Sequence, residues 1–259
     1  MMNVSNTKYL ITMLKKSKMT GKYSSGNSNK SDCISQECVI TRKDGDKIAI
    51  FNANNSSYIR LILNIENDIE DTMTVDIDTL VNYLSNYNEV NLKIENNLLI
   101  GYDEEKRFSV PLLNRHECND TVFHFMSKFA GLSLSNKNKE VLKINDRTTL
   151  KSFVKVDADK IRDAFKACEA VGSSIYKIKW EESMLTISSH KGMEMMSVNI
   201  EPIVEECFGE PFEVTISSPI HTLLLNVNGV VNIYGGSDKP LFLNVNNSIH
   251  YLIAPRVEE

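Results

Sequence analysis

The sequence predicts an α+β fold made of two similar halves in tandem. Its 259 residues, of which 42% are apolar and 24% charged, suffice for one large domain or two of about 130 residues. Residues 156–171 have the pattern of an amphipathic helix, and the elements that follow them repeat an order already present earlier in the chain. A repeat of this length indicates duplication of a whole domain, since solenoid repeats are shorter.

The first half begins with a helical pattern at residues 3–19, and Lys8, Lys15 and Lys16 project from its polar side. Residues 20–36 have no periodicity and are predicted to be a mobile loop. Strand patterns follow at 37–43, 47–53, 58–65 and 73–77, then a short helix at 79–87 and strands at 89–95, 97–103 and 106–113. Asp76 or Asp78 can cap the short helix.

The second half repeats this order after its own helix. The apolar face of that helix comprises Ile161, Ala164, Phe165, Cys168 and Val171. Arg162 and Lys166 lie on the opposite face with Asp159 and Asp163 beside them, a pattern that a plain solvated surface also shows. Strands are predicted at 174–180, 184–190, 193–200 and 211–217, then a short helix at 219–227 and strands at 229–235, 239–245 and 249–255.

Residues 114–150 interrupt this rhythm and are predicted to be a connector, partly helical and packed along its aromatic side. The predicted domains are therefore an N-terminal domain at 1–113, the connector at 114–150 and a C-terminal domain at 151–259. The repeat itself covers about 37–112 and 153–259.

The charge balance excludes a globally basic nucleic-acid-binding protein. The formal net charge is -5 and the isoelectric point is near 5.7, so any attraction to phosphate requires a local basic patch. The chain has no apolar run of about 20 residues and no signal-peptide core, which predicts a soluble protein without a membrane partner.

The cysteines and histidines are scattered and predict no metal or cofactor site. Five cysteines indicate reduced thiols in an intracellular protein. The pairs Cys33 with Cys38 and His116 with Cys118 are a weak zinc signal, because no second close cysteine pair accompanies them. The sequence lacks a phosphate loop, a dinucleotide fingerprint, a zinc-protease motif and a nucleophile elbow, so we do not expect an enzyme.

Three segments carry a resemblance to a known family. Residues 251–259 (YLIAPRVEE), 237–245 (SDKPLFLNV) and 53–63 (ANNSSYIRLIL), together with the order of elements, resemble the DNA sliding clamps of the proliferating-cell-nuclear-antigen (PCNA) type. The resemblance implies two clamp-type domains with sheets outside and two helices each on an inner face. It also implies a homotrimeric ring that encircles double-stranded DNA and binds it without sequence specificity.

The resemblance also implies which residues face the DNA. The family's basic positions fall on Lys8, on Lys15 or Lys16, and on Lys166, whereas a further family arginine falls on Asp163 with Arg162 beside it. Where the family often has lysines in its short helix, this chain has Asn82 and Ser85. The hole is therefore expected to be less positive than in the family.

Subunit contacts are expected between two edge strands. By analogy, residues 107–113 of one subunit pair with residues 193–200 of the next, which closes a head-to-tail ring. The interface residues implied are Phe108, Val110, Leu112, Met195, Ser197 and Asn199. The alternative is that both are ordinary edge strands of a monomer.

Partner proteins of such clamps insert a short aromatic-rich peptide into an apolar pocket. The matching positions are Asn54, Pro240, Leu252, Ala254 and Pro255, with connector residues 123–134 as a lid. Asn54 departs from the family's apolar residue. A packed last strand is the alternative role for Leu252 and Pro255.

The expected function is a DNA polymerase processivity factor for replication and repair, with the polymerase, a clamp loader and other DNA enzymes as partners. Two alternatives remain open: a clamp-fold subunit used in damage signalling or viral transcription, and a monomeric β-rich interaction protein. The expected location is intracellular, in a nucleus if the source is eukaryotic or viral and otherwise in the cytoplasm. The chain starts almost at its first helix, where the family has a strand, which suggests a divergent source.

Overall fold

A computed structural model describes residues 1–18, 37–41, 47–53, 56–65, 72–113, 142–145, 147–203, 207–217, 220 and 223–256. The chain divides into two compact units, unit 1 (Met1–Asn54 and Tyr58–Ser127) and unit 2 (Asn55–Ser57 and Lys128–Glu259). Predictions for the 20–36 loop, for most of the 114–150 connector and for Asn54 lie outside the described residues. In the ranges just given, no helix has the length and apolar composition that crossing a membrane requires.

Unit 1 follows the predicted order with one addition. Its elements are β1 (Met2–Val4), α1 (Thr7–Ser17), β2 (Glu37–Thr41), β3 (Ala49–Ala53), β4 (Ser57–Ile62), β5 (Met73–Asp76), α2 (Ile77–Leu84), β6 (Val90–Glu95), β7 (Leu98–Tyr102) and β8 (Arg107–Pro111). The expectation that the chain lacks a strand before its first helix is wrong. Strand β1 buries Met2 and Val4 and pairs antiparallel with β6.

Unit 2 contains β9 (Leu142–Asn145), β10 (Thr148–Leu150), β11 (Ser152–Asp157), α3 (Ala158–Glu169), β12 (Tyr176–Glu181), β13 (Met184–Lys191), β14 (Glu194–Ile200), β15 (Phe212–Ile216), β16 (Val230–Gly235), β17 (Leu241–Val245) and β18 (Ile249–Ile253). The end of the predicted connector is thus a β-hairpin, β9–β10. The predicted short helix at 219–227 is, in its described residues, a turn at Leu223–Asn226.

The strand order shows that the two units repeat one fold. In unit 1 the neighbouring strands run β1-β6-β7-β8 and β4-β3-β2-β5; in unit 2 they run β11-β16-β17-β18 and β14-β13-β12-β15. Counted from the first strand of each repeat, both orders are 1-6-7-8 and 4-3-2-5. The tandem α+β architecture predicted from the sequence is confirmed.

Each first helix packs through the apolar face that its periodicity predicts. Helix α1 buries Leu10, Met13 and Leu14 and lies against α2 and β3. Helix α3 buries its whole predicted face, including Phe165 and Cys168, and lies against β11, β13 and β14. The polar sides of both helices are thereby left toward solvent.

Candidate nucleic-acid and partner surfaces

Helix α1 carries three lysines and no acidic residue. Lys8 and Lys15 are exposed and seven residues apart, which places them on one side of the helix about 10 Å apart along its axis. Lys16 lies beside them and is half-buried, and this desolvation lowers the pKa of its ammonium group. We call Lys8, Lys15 and Lys16 the basic face of α1.

The ends of α1 are fixed to the rest of unit 1. At the start, the Asn6 side chain accepts a hydrogen bond from the Tyr9 N–H at 3.0 Å, and the Thr7 N–H donates to the Asn88 carbonyl at 3.1 Å. At the end, the buried Asn52 side chain on β3 donates to the Ser17 carbonyl at 2.7 Å. Hydrogen bonds at both ends therefore fix the position of the basic face on unit 1.

Helix α2 adds no positive charge. Its N-cap is Asp76, which accepts a hydrogen bond from the Thr79 N–H at 2.7 Å and so resolves the choice between Asp76 and Asp78. Asp78 instead pairs with Lys18 just beyond α1, at 2.5 Å. The Lys18 charge is thus balanced.

Helix α3 differs from α1 in its charge balance, because its three cations are matched by three acidic residues. The Arg162 Nη2 atom lies 2.7 Å from Asp159, and its Nε atom lies 3.5 Å from Asp163. Lys166 is exposed and forms no ion pair within the described part of the chain. Of the two DNA-facing residues predicted on α3, the structure leaves Lys166 available and engages Arg162.

Three of the predicted pocket residues lie together at one end of a hairpin. Strands β17 and β18 pair Leu241 with Ile253 and Phe242 with Leu252, so Pro240 stands beside Ala254. By strand alternation, Pro240, Leu252 and Ala254 share one face of the hairpin. Leu252 is 8% exposed and Ala254 is exposed. Pro255 follows the strand and is half-buried.

Strand β8 is an edge strand, and its hydrogen bonds to β7 determine which of its N–H and C=O groups point to the open edge. The Leu112 N–H donates to the Asn97 carbonyl at 3.0 Å, so the even-numbered residues of β8 are hydrogen-bonded toward β7. The N–H and C=O groups of Arg107 and Ser109 therefore point to the open edge, as does the C=O of Pro111. The predicted interface residues Phe108 and Val110 are buried inside unit 1, and Leu112 is half-buried.

Phe108 anchors β8 to the rest of unit 1. Its ring stacks on Tyr83 at a centroid distance of 5.1 Å and meets Tyr87 edge-on at 5.4 Å. A Cβ atom at Gly101 would lie 2.1 Å from the Phe108 ring, so the neighbouring strand needs glycine at this position. The edge is thus held from beneath by an aromatic cluster.

Strand β14 is an edge strand of unit 2. A two-residue loop, Gly192–Met193, joins it to β13, and such loops are closed by a hydrogen-bonded pair, here Lys191 with Glu194. The odd-numbered residues Met195, Ser197 and Asn199 then direct their backbone groups to the open edge. All three side chains are exposed.

An open cavity of about 520 Å³ beside the β7–β8 turn was not predicted from the sequence. Its lining is Lys93, Tyr102, Asp103, Glu104, Glu105, Lys106 and Arg107. Hydrogen bonds from the backbone N–H groups of Glu105 and Lys106 lower the pKa of Asp103. The mixed charges of this lining indicate a solvated turn, and the run of five charged residues at 103–107 is the sequence signal that could have drawn attention to it.

No protein-family model and no curated protein sequence matches the chain. PCNA from A. fulgidus, in a structure with the C-terminal region of FEN-1 bound, matches with a TM-score of 0.67 and 14% identity over 100% of both chains. A PCNA2–PCNA3 complex from Sulfolobus tokodaii matches with a TM-score of 0.67 and 15% identity over 99% of both chains.

A third solved structure is a DNA polymerase sliding clamp from Pseudomonas aeruginosa. It matches with a TM-score of 0.67 and 12% identity over 99% of this chain, which spans only 65% of that longer chain. These likenesses show that the chain has the sliding-clamp fold over nearly its whole length. Sequence identities of this size support an inference about the fold only. The function of the protein has to be inferred from its own residues.

Proposed function

We propose that the protein is a sliding clamp, whose copies join into a ring of three around duplex DNA and tether a polymerase and other DNA enzymes. The observation that carries the proposal is a basic face without acidic residues on the first helix of a clamp fold. A tether raises the local concentration of an enzyme at its template without any catalytic group of its own. The protein itself is therefore not an enzyme in this proposal.

The small number of cations suits a protein that must move along DNA. Contacts between a few lysines and phosphates are independent of base sequence and weaken with salt, with dissociation constants of about 10⁻⁴ to 10⁻⁶ M. Lys8, Lys15 and Lys166 supply exposed contacts of this kind, and Lys16 supplies a half-buried one. A closed ring keeps the protein on DNA by topology, so the contacts need not be strong.

The two edge strands support self-assembly. On β8 the open edge offers the N–H groups of Arg107 and Ser109, and on β14 three residues offer both N–H and C=O groups. An antiparallel pairing of β8 with β14 of a second copy, with Ser109 opposite Asn199, brings Arg107 opposite Glu201, the exposed residue that follows β14. Opposite charges facing each other across strands favour that register by about 0.2 to 1 kcal/mol.

Partner binding is assigned to the face of the β17–β18 hairpin that carries Pro240, Leu252 and Ala254. An exposed alanine beside a half-buried proline leaves an apolar surface at the end of the hairpin. An aromatic side chain of a short peptide gains most of its binding free energy from such surfaces.

The variant Ser109→Pro tests the assembly and the function together. Because the Ser109 N–H points away from β7, proline is tolerated within the chain but removes a donor at the open edge. We expect light scattering to give three times 29.3 kDa for the native protein and a single chain for the variant. Ser109→Ala keeps the donor and is the matched control.

The same preparations are then tested on closed and linear DNA. The native protein, loaded onto a nicked circular plasmid, should remain bound at high salt and be lost when the plasmid is cut once. Equal loss from circular and linear DNA would contradict encirclement. A native ring that stays on circles but fails to stimulate any polymerase would favour the second use, a clamp-fold subunit in damage signalling or transcription.

A further inference from the structure

The guanidinium group of Arg162 is held between two carboxylates on the surface of α3. Its Nη2 atom is 2.7 Å from Asp159 and its Nε atom is 3.5 Å from Asp163, so two separate nitrogens are engaged. The Arg162 side chain is 23% exposed, whereas those of Asp159 and Asp163 are 60% and 70% exposed. We call these three residues the carboxylate clip.

The spacing of the clip explains why the arginine stays in place. Asp159 and Asp163 are four residues apart and therefore neighbours on the helix surface, where like charges repel. Arg162 is bound to both and relieves this repulsion. The clip as a whole has a net charge of -1. It therefore repels a phosphate, whereas an arginine alone would attract one.

Arginine binds phosphate through the same fork of N–H groups that it uses for carboxylates. A phosphate oxygen can therefore reach Arg162 only in competition with Asp159 and Asp163. No acidic residue of α1 competes in this way for Lys8 or Lys15. The two first helices of the repeat thus differ in whether their cations are available.

We propose that Asp159 and Asp163 limit the affinity for DNA by occupying Arg162. This inference rests on the proposed function, since it concerns the helix that faces DNA in a clamp. Each additional phosphate contact makes binding stronger at low salt and more dependent on salt. The clip keeps one such contact from forming and so keeps the protein loosely bound and free to slide.

The test is a cycle of variants titrated with a fluorescent linear duplex over a range of salt. We expect Asp159→Asn with Asp163→Asn to tighten binding and to steepen the logarithmic salt slope by about 0.9. That slope corresponds to a roughly 3.5-fold greater loss of affinity between about 50 and 200 mM salt. Adding Arg162→Gln to the double variant should remove the extra slope, and Arg162→Gln should weaken binding less in the native chain than in the double variant.

The outcomes separate the clip from the proposed function. If the double variant gains the same affinity with and without Arg162, the aspartates act only by general repulsion and the proposal is wrong. If the slope does not change while charge reversal on α1 weakens binding, the clip is wrong and the clamp proposal stands. If charge reversal on α1 has no effect either, the proposed function fails. Circular dichroism melting curves show whether α3 is intact in each variant.

Discussion

Helices α1 and α3 occupy the same place in two copies of one fold, yet the net charges of their solvent-facing sides differ. Helix α1 has three lysines without an acidic residue, whereas α3 balances three cations with three acids and engages Arg162 in two ion pairs. Their apolar faces are equivalent in role and both are buried. Equal burial therefore goes together with unequal surface charge, and the two helices are expected to differ in their attraction to phosphate.

The largest expected difference between the two helices is in DNA binding. Lys15→Glu with Lys16→Glu on α1 reverses two charges that face phosphate in the proposed ring, and we expect the affinity for duplex DNA to fall on the order of tenfold per residue. Lys166→Glu on α3 should have a smaller effect, because the acidic residues of α3 already offset the positive charge of that surface. Titration of a labelled duplex measures both.

Light scattering provides the control for these charge reversals, since the mass of the assembly should not change. The comparison would be wrong if Lys166→Glu weakened binding as much as the two changes on α1. Clamp-dependent DNA synthesis should fall in the same order as duplex affinity.

The C-terminal ends of the helices should differ next. Asn52→Ala removes a buried donor from the Ser17 carbonyl at the end of α1, and we expect a loss of about 1 to 3 kcal/mol in the free energy of unfolding. Helix α3 is followed instead by Gly172, three residues past its last residue, whose φ is +69° and whose N–H donates to the Glu169 carbonyl at 2.8 Å. Gly172→Ala should cost about 1 kcal/mol, because alanine is strained at that φ. Urea denaturation measures both, and equal losses would contradict the ranking.

The smallest expected difference is at the N-terminal ends. Asn6→Ala removes the side-chain cap of α1 and should lower the free energy of unfolding by about 1 kcal/mol. Asp157, at the start of α3, makes no side-chain cap hydrogen bond. Asp157→Ala should therefore be milder in the same thermal or urea experiment. A larger loss of unfolding free energy for Asp157→Ala than for Asn6→Ala would contradict this ranking. It would show that the 3.7 Å ion pair between Asp157 and Lys160 stabilises α3 more than the Asn6 cap stabilises α1.

The sequence predicted most elements because their apolar periodicity is long enough to detect. The buried face of α3, with Val171 just beyond its end, is an example, since five positions at helical spacing from Ile161 onward are buried as predicted. Strand β1 was missed because three residues give no measurable period and its partner β6 lies more than eighty residues away. A long-range pairing of this kind leaves only a short buried alternation, Met2 and Val4, in the sequence.

The candidate sites were predicted less well, for reasons that depend on geometry. The sequence places Asp159, Arg162 and Asp163 near one another but does not decide whether the arginine bonds to its neighbours or projects past them. On β8, the sequence led to the apolar residues Phe108 and Val110 as interface residues. The backbone groups at the open edge are instead those of the alternate residues, such as Ser109 between them. Which residues face that edge follows from the hydrogen bonds to β7, and those are a property of the folded chain.

The aromatic support beneath β8 has a consequence for the assembly of the proposed ring. Phe108 is held by Tyr83, Tyr87 and the space at Gly101, so this strand loses little conformational entropy when another strand aligns with it. In the proposed ring, a seam formed on such a pre-ordered strand needs fewer contacts for a given lifetime. A five-residue edge strand that is already ordered can then form a stable subunit contact, whereas a disordered segment of the same length would not.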